Sequence, residues 1–213
     1  MSRHANLALV GQWLIMKPIN HVLCGVLFDR TSDADHFRLL WLAHPVFDLH
    51  PTCSLTWSYD LYRPDRVAWT WSSPDLAEIV ADMIERDALP QLDKLSSLRS
   101  FLHFALSHRQ SAHRLTEYPN PRVIIDVALG DLEAARRLSS GPLSRWLAVA
   151  QPKDDYDRTK LHGLKALCDL LERDDRDGMA SLLHAWEARK IKNLKLEHVW
   201  EKTPFPLETR PTR

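Results

Sequence analysis

Histidine is the residue type in this sequence best suited to chemistry, because imidazole binds metal ions and exchanges protons near neutral pH. Eleven histidines are present, and the densest set is His103, His108 and His113. A spacing of five turns each side chain about 140° from the last on an α-helix, whereas helical residues that share a metal ion are three or four apart. The spacing favours solvated histidines, and we predict no metal ion and no other cofactor.

Two acidic clusters could also hold a divalent cation. Asp33, Asp35 and His36 form the first, and the run at residues 174–178 superficially resembles a calcium loop. A turn between strands favours aspartate for backbone reasons alone, and the second run lacks the bidentate glutamate that closes a calcium loop. We therefore interpret the first cluster as a turn and the second as a helix cap.

The motifs of several enzyme classes are missing from the sequence. Its six glycines are scattered, so they cannot form a phosphate-binding loop or a dinucleotide fingerprint. The sequences G-x-S-x-G, H-E-x-x-H and C-x-x-C are absent, which removes the signatures of nucleophile-elbow hydrolases, zincins and zinc ribbons. An active site assembled from dispersed residues near the predicted strand ends stays open as an alternative. Its candidate residues are His21, His44, Asp48, His50 and Arg63.

Charge and composition restrict the partners. Lys and Arg number 28, as do Asp and Glu, so no net field attracts nucleic acid or an anionic membrane. No stretch approaches the roughly 20 apolar residues that span a bilayer, and we expect no signal peptide. The three cysteines, Cys24, Cys53 and Cys168, lie in apolar stretches and suit reduced thiols. We predict a cytoplasmic protein with no nucleic acid or membrane partner.

The N-terminal part changes from a helical to an extended period. Apolar residues at helical spacing predict a first helix over residues 4–16, ended by Pro18. Apolar runs and alternation then predict four antiparallel strands joined by short loops. These strands cover residues 22–28, 37–42, 53–61 and 67–71. The last two are rich in aromatic residues and are expected to pair as a hairpin through the turn at residues 62–66.

Four tryptophans lie on these predicted strands: Trp41, Trp57, Trp69 and Trp71. Exposed on one face, they could form a base-stacking platform for single-stranded nucleic acid. Their neighbours are Ser, Thr, Ala and Leu rather than Lys and Arg, so such a face would lack the charge that binds phosphate. We predict instead that they pack in a core beneath the following helix.

The remaining sequence is predicted to be helical. A helix over residues 76–84 begins at the cap formed by Ser73, Pro74 and Asp75, and it is broken at Pro90. Further helices are predicted near residues 93–108, 122–129, 133–138, 142–147, 161–171 and 179–194.

These elements predict an α+β fold, with a four-stranded antiparallel sheet and flanking helices in the N-terminal half and an all-helical C-terminal half. Asp131 and Asp177 are expected to cap two of the C-terminal helices. The predicted domains are residues 1–90 and 91–203, which could also form one continuous unit, followed by a loose tail at residues 204–213.

Two parts of the chain resemble known families. The segments Phe28-Asp29-Arg30 and Trp41-Leu42-Ala43-His44-Pro45, in this order of elements, look like uncharacterised bacterial proteins defined by a domain of unknown function. Residues 167–183, followed by Trp200-Glu201-Lys202-Thr203-Pro204-Phe205-Pro206, are weakly similar to helical immunity proteins that neutralise bacterial toxins. The second resemblance implies a protein partner, and neither assigns a role to a residue.

A patterned fold without clustered catalytic residues favours a non-enzymatic protein that binds another protein, as an immunity-type or accessory factor. The predicted contact surface is the acidic connection, because carboxylates beside an aromatic ring suit a basic partner. Its residues are Asp154, Asp155, Tyr156 and Asp157. The alternative for these residues is a solvated loop with a helix cap, and the alternative function is the dispersed-site enzyme. The sequence leaves the oligomeric state open.

Overall fold

The computed structural model describes residues 4–95, 97–107, 115 and 119–209. The predicted α+β class is confirmed, but the antiparallel sheet has six strands rather than four. They are β1 (Leu7–Val10), β2 (Trp13–Met16), β3 (Val22–Arg30), β4 (His36–Pro45), β5 (Ser58–Asp60) and β6 (Trp69–Thr70). Strands β1 to β4 are neighbours in chain order, and both β5 and β6 lie beside β4.

The predicted first helix is wrong, because residues 4–16 form the β1–β2 hairpin. Val10 pairs with Trp13 and Leu7 with Met16, so only Gly11 and Gln12 form the turn. Gly11 has a φ of +60°, which glycine adopts without steric cost and which the first central position of a type II′ hairpin turn requires. Two strands of four residues are too short for their apolar pattern to distinguish period 2 from period 3.6.

Strands β3 and β4 form the centre of the sheet and confirm two predicted strands. They pair over nine residues, from Val22 opposite Pro45 to Arg30 opposite Phe37. Gly25 of β3 lies opposite Ile15 of β2, and a Cβ atom at Gly25 would be only 2.6 Å from the backbone oxygen of Leu14. Glycine therefore permits the close approach of β2 and β3.

The predicted aromatic hairpin is also wrong, because β5 and β6 pair with β4 and not with each other. Tyr59 lies opposite Trp41, and Trp69 lies opposite Phe37 further along the same edge of β4. The first part of the predicted strand 53–61 is a short 3₁₀ helix, Leu55–Trp57, capped by the Ser54 side chain. Ten residues of β4 thus accommodate two short partners in line.

Eight α-helices are present in the described ranges, and they confirm the helical C-terminal half. They are α1 (Leu76–Met83), α2 (Leu89–Leu92), α3 (Leu98–Ser107), α4 (Pro119–Ala128), α5 (Leu132–Leu138), α6 (Ser144–Val149), α7 (Asp155–Glu172) and α8 (Arg176–Leu194). As predicted, Asp131 caps α5 by accepting a hydrogen bond from the Ala134 amide at 3.2 Å. Asp175 rather than Asp177 caps α8, through the Gly178 amide at 2.9 Å.

Two prolines do not act as predicted. Pro90 was expected to break a helix, and Gly141-Pro142 to open one. Instead, a π-helical turn at Ile84–Ala88 joins α1 to α2, and a second at Ser139–Leu143 joins α5 to α6. Pro90 lies in the first turn of α2, where a missing amide proton costs little. The chain therefore continues helically past both prolines.

The described structure divides into two compact units that alternate along the chain. The first comprises Met1–Pro45, Ser54–Phe101 and Leu196–Glu201, and the second comprises Val46–Cys53, Leu102–Lys195 and Lys202–Arg213. In the second unit Phe205 and Leu207 are buried, so residues 204–209 of the predicted loose tail are packed rather than loose. The predicted division between residues 90 and 91 stays a prediction. Within the described ranges, no helix is both long and apolar enough to cross a membrane.

We expect Gly25→Ala to lower the free energy of unfolding by about 1–3 kcal/mol, because the new methyl group must displace the backbone of β2. Gly141→Ala is the control: its Cβ would meet no atom within 4 Å, and because Gly141 lies in a helical segment its stability should stay the same or rise by up to about 1 kcal/mol. Urea unfolding followed by tryptophan fluorescence measures both. Equal stability of the two variants would show that β2 and β3 do not approach as described.

Candidate protein-binding surface

The acidic connection predicted as a contact surface is largely the start of α7. Asp154 caps this helix by accepting from the Asp157 amide at 2.8 Å, and Asp157 accepts from the Lys153 amide at 3.2 Å. Asp155 is exposed and pairs with Arg158. Two of the three carboxylates therefore accept hydrogen bonds from backbone amides, which agrees with the helix-cap alternative. Whether these residues also contact a partner stays a prediction.

The structure brings Tyr156 together with two residues of the alternative enzyme site. The Tyr156 ring meets the His50 ring edge-on, with centroids 5.3 Å apart. Asp48 accepts from the His50 amide at 3.1 Å and forms an ion pair with Lys190, which is buried on α8. Burial is the main cause that raises the pKa of Tyr156, and the negative charge of Asp48 adds to it. These contacts fasten the segment Val46–Cys53 within the second unit.

The other candidates for an enzyme site, His21, His44 and Arg63, belong to the first unit. His21 and His44 are both buried, and the His44 ring lies 6.0 Å from the ring of Trp57. Arg63 is held by neighbouring side chains, as described below. Of the three histidines that form the densest set in the sequence, His103 is exposed on α3, while His108 and His113 lie outside the described residues. In the described part of the chain, no group of three or more His, Cys, Asp or Glu side chains could hold a metal ion.

The turn at residues 31–35 confirms the structural interpretation of its aspartates. Asp33 accepts from the Asp35 amide at 2.9 Å, as expected of an aspartate that shapes a turn. The Asp35 carboxylate accepts two hydrogen bonds from Ser72, one from the backbone amide at 2.9 Å and one from the side-chain hydroxyl at 2.6 Å. The β3–β4 turn is thereby tied to the chain that follows β6.

Residues 61–68, here called the display loop, connect β5 to β6, and the Leu61 amide still donates to the Leu39 carbonyl of β4 at 2.8 Å. Arg63 holds this loop: its Nε and Nη2 atoms donate to the two carboxylate oxygens of Asp65 at 3.1 and 2.9 Å, and Nη1 donates to Ser73 at 3.3 Å. The guanidinium also lies 5.6 Å from the ring centre of Trp69, whose indole N–H donates to the Leu61 carbonyl at 2.7 Å. Hydrogen bonding to Arg63 lowers the pKa of Asp65, and hydrogen bonding to Asp65 raises the pKa of Arg63.

The clamped loop exposes large side chains. Tyr62 is 63% exposed and Val67 is 59% exposed, and the Arg66 guanidinium lies 5.7 Å from the Tyr62 ring centre. Trp71, just after β6, stacks on Phe37 at 4.1 Å and is still 42% exposed. Trp41, Trp57 and Trp69 are buried as predicted, but the prediction is wrong for Trp71. A series of contacts from Arg63 through Trp69 and Phe37 connects the loop to Trp71.

An acidic groove of about 460 Å³ adjoins the display loop in the same unit. It is lined by Pro64, Asp65, Asp75, Glu78, Ile79, Asp82 and Met83. Asp75, Glu78 and Asp82 come from the beginning and the exposed side of α1, and Asp65 comes from the loop. Four carboxylates beside three apolar side chains form a groove that suits a cationic side chain with an aliphatic stem.

The sequence did not point to the display loop and its acidic groove, although the same criterion, carboxylates beside an aromatic side chain, selected residues 154–157. A tyrosine and an arginine in a supposed turn gave no signal, because the exposure of Tyr62 depends on contacts of Arg63 with residues up to ten positions away. The available signal was the helical spacing of Asp75, Glu78 and Asp82, which places three carboxylates on one side of α1.

A second groove, of about 680 Å³, lies in the second unit and contains His184. Its Nε2 atom is 2.9 Å from a carboxylate oxygen of Glu208, and its Nδ1 atom is 3.5 Å from a carboxylate oxygen of the buried Glu187. The same oxygen of Glu208 accepts from the Phe205 amide at 2.6 Å. The imidazole thus holds residues 205–208 against α8.

The three cysteine thiols are poor nucleophiles. Burial raises the pKa of Cys24 to about 12 and that of Cys53 to about 11, and it also raises the pKa of Cys168. Because the thiolate is the reactive form, only a small fraction of each of these thiols is reactive near neutral pH. This chemistry does not support a cysteine-dependent reaction.

Comparison of the chain with family models, with curated proteins and with solved structures finds no match. The resemblances to a bacterial domain of unknown function and to toxin-immunity proteins therefore stay predictions.

The raised thiol pKa values predict slow alkylation of the native protein. A shift from 9.0 to about 11 leaves Cys53 with about a hundredfold less thiolate at pH 8 than an ordinary thiol, and reactivity returns only as the pH approaches 11. We expect iodoacetamide to label the native protein at pH 8 at least tenfold more slowly than the urea-unfolded chain, by mass spectrometry. A cysteine labelled equally fast in both states would instead be a candidate nucleophile.

The Arg63 clamp predicts resistance of the display loop to proteolysis. In Arg63→Ala the loop loses its bonds to Asp65 and Ser73, so trypsin should cleave after the exposed Arg66 several-fold faster than in the wild type. Arg86→Ala is the control, because Arg86 also binds carboxylates, Asp82 and Asp87, but lies in a helical segment. Mass spectrometry of the fragments identifies the site. Unchanged cleavage after Arg66 would mean that Arg63 does not order the loop.

Proposed function

We propose that this protein is a cytoplasmic, non-enzymatic binding factor of the immunity or accessory type, and that its partner is a protein with a basic contact surface. The observation that carries the proposal is the display loop: a segment clamped by Arg63 that exposes Tyr62 and Val67 beside an acidic groove. Exposed aromatic and aliphatic side chains on an ordered loop, next to a charged groove, are typical of protein interfaces.

The residue types of this surface suit a protein partner. Tyrosine, tryptophan and arginine are the residues most enriched among those that dominate binding energy. Tyr62 and Arg66 are exposed in the display loop, and Trp71 is exposed just after β6. Association normally requires loops to lose conformational freedom. Because Arg63 already fixes the display loop through Asp65 and Ser73, less of that entropy is lost on binding.

The charge of the groove favours a basic partner. Asp65, Asp75, Glu78 and Asp82 line it, whereas no lysine or arginine among the described residues does. The whole chain has a formal net charge of zero, so the attraction is local and acts when the partner is already close. A lysine or arginine of the partner could bind these carboxylates while its aliphatic stem covers Ile79 and Met83.

The acidic connection at residues 154–157 is the second surface within the same proposal. Its Asp155 side chain is 94% exposed, but Asp154 and Asp157 accept backbone hydrogen bonds at the start of α7. Tyr156 is half-buried against His50 and offers less apolar area than Tyr62. We therefore favour the display loop and groove as the contact surface and retain the connection as a comparison in the experiment.

The cellular setting is part of the proposal. Three thiols with raised pKa values suit a reducing cytoplasm, and the balanced charge argues against nucleic acid as the partner. The weak similarity of residues 167–183 and 200–206 to immunity proteins supports the choice of a toxin-like partner.

The experiment compares capture of partners from host lysate by the tagged wild type and by surface variants, quantified by mass spectrometry in moderate salt. We expect Tyr62→Ala combined with Val67→Ala to weaken retention of the specific partner about thirtyfold, the effect of removing a dominant contact. The double variant Asp75→Asn with Glu78→Gln should reduce retention of the partner more at low salt than at high salt, because high salt already screens the charges in the wild type.

Two controls define the outcome. Val149→Ala removes a side chain that is 76% exposed in the second unit and should retain the partner fully. Asp154→Asn, Asp155→Asn and Asp157→Asn together test the acidic connection while an asparagine still caps α7. If this triple variant loses the partner and the Tyr62→Ala, Val67→Ala variant retains it, the contact surface is the acidic connection and not the display loop. Capture that no variant changes would refute both surfaces.

A further inference from the structure

A third groove, of about 370 Å³, lies wholly in the second unit. Residues of α4, of α5 and of the π-helical turn Ser139–Leu143 line it, and its size is at the lower end of the range for sites that bind small molecules. The lining combines three charged side chains with four apolar ones: Arg122, Asp126, Arg137, Leu115, Ala134, Leu138 and Pro142. It is therefore a different site from the display loop and its acidic groove, which belong to the first unit.

A buried carboxylate holds the first arginine of this groove. Asp126 lies one turn after Arg122 on α4, and its side chain is only 1% exposed. The Arg122 Nε atom donates to both carboxylate oxygens of Asp126 at 2.8 Å. Burial raises the pKa of Asp126, the hydrogen bond and charge of Arg122 oppose that rise, and the charges of Asp131 and Arg137 act in opposite directions. Arg137 is therefore near enough to act on the same carboxylate, and Asp126 fixes the orientation of the Arg122 guanidinium.

The bond to Asp126 leaves the outer edge of the Arg122 guanidinium for a ligand. A guanidinium carries its N–H donors in one plane, and most of them are on Nη1 and Nη2 rather than on Nε. In the described ranges, no acceptor is hydrogen-bonded to Nη1 or Nη2 of Arg122 or to the exposed guanidinium of Arg137. The Arg122 side chain keeps 25% of its area exposed, and neither Nη atom is a buried donor. These donors are thus open to the groove that Arg122 lines.

The charges and the walls of the groove define the class of ligand. Two guanidinium groups and one carboxylate give the lining a formal charge of +1, which a monoanion neutralises. A phosphate dianion would exceed that charge and would lie near the negative charges of Asp126 and Asp131. A carboxylate, by contrast, matches the planar outer edge of Arg122 with two parallel hydrogen bonds. The four apolar side chains of the lining require an apolar body attached to that carboxylate.

We propose that this groove binds a small organic acid, with its carboxylate on Arg122 and Arg137 and its apolar body against Leu138 and Pro142. Arg122 supplies the directional hydrogen bonds, because Asp126 fixes its guanidinium, and Arg137 supplies the second positive charge at the open side of the groove. The site does not depend on the proposed function, since it shares no residue with the display loop or the acidic groove.

Calorimetric titration of the full chain with hexanoate tests the proposal. We expect hexanoate to bind with a dissociation constant of about 1 mM or less, and hexanamide, which has the same apolar body without the charge, to bind at least about tenfold more weakly. Inorganic phosphate should also bind more weakly than hexanoate. In NMR spectra, hexanoate should shift the amide signals of Ala134 and Leu138 in the groove and leave that of Val67 in the first unit unchanged.

Three variants separate the site from general charge effects. Arg137→Gln removes an exposed guanidinium that binds no described residue, so it should weaken hexanoate about tenfold and leave the melting temperature unchanged. Arg145→Gln is the matched control, because Arg145 is an exposed arginine of α6 that does not line the groove, and it should bind hexanoate like the wild type. Arg122→Lys keeps a positive partner for Asp126 but loses the planar edge, so it should weaken hexanoate and not hexanamide.

Four results would overturn the proposal. They are equal affinity for hexanoate and hexanamide, phosphate binding as tight as that of hexanoate, equal effects of Arg137→Gln and Arg145→Gln on hexanoate binding, and unchanged amide signals of Ala134 and Leu138 when hexanoate is added. The capture experiment on the display loop uses none of these residues, so the two proposals fail separately.

Discussion

The pairing of β4 is the constraint on which the candidate surface depends. One edge of this ten-residue strand pairs with β3 over nine residues, and the other is shared by β5 and β6 in line. The Leu61 amide still donates to the Leu39 carbonyl of β4 at 2.8 Å, and residues 62–68 then leave the sheet before β6 returns to the same strand edge. Their backbone groups then need other partners. The Arg63 clamp and the bond from Trp69 to the Leu61 carbonyl help to order the segment.

The second unit depends on buried charges of one helix. Glu187 and Lys190 of α8 are both buried, and His184 lies one turn before Glu187 on the same side. Lys190 binds Asp48, which fastens the segment Val46–Cys53, and His184 binds Glu208, which fastens residues 205–208. A buried ion pair adds little stability relative to apolar packing, but loss of one member leaves the other charge uncompensated. These pairs therefore fix which segments pack on α8 more than how strongly they do so.

Much of the fold is predictable from the sequence where a segment is long and its period is clear. Strands β3 and β4 and helices α7 and α8 each contain nine or more residues, and their apolar patterns indicated the correct element. The β1–β2 hairpin and the partners of β5 were mispredicted because four-residue strands fit either period and because pairing with β4 is a non-local choice. Pro90 and Pro142 show a further limit, since π-helical turns let helices continue near prolines that local rules treat as boundaries.

The sequence criterion for a contact surface, carboxylates beside an aromatic side chain, fits two places in the structure and does not choose between them. At residues 154–157 the chain begins a helix, and Asp154 and Asp157 accept backbone hydrogen bonds there. Sequence alone does not distinguish a carboxylate engaged by a backbone amide from one that faces solvent. Nor does it show that Trp71, with the same alternation as Trp69, remains exposed, because the cover of each ring depends on elements distant in the chain.

The ion pairs around the groove determine what a partner must supply. Asp65 and Asp82 already bind Arg63 and Arg86, so a partner cation that displaced either arginine would gain little. Asp75 and Glu78 lie at the beginning of α1, where the positive end of the helix dipole favours negative charge. Under the proposed function, a lysine or arginine of the partner would therefore bind Asp75 and Glu78 first. The same proposal then predicts the direction of approach, with Asp75 and Glu78 on one side and Tyr62 of the ordered display loop on the other.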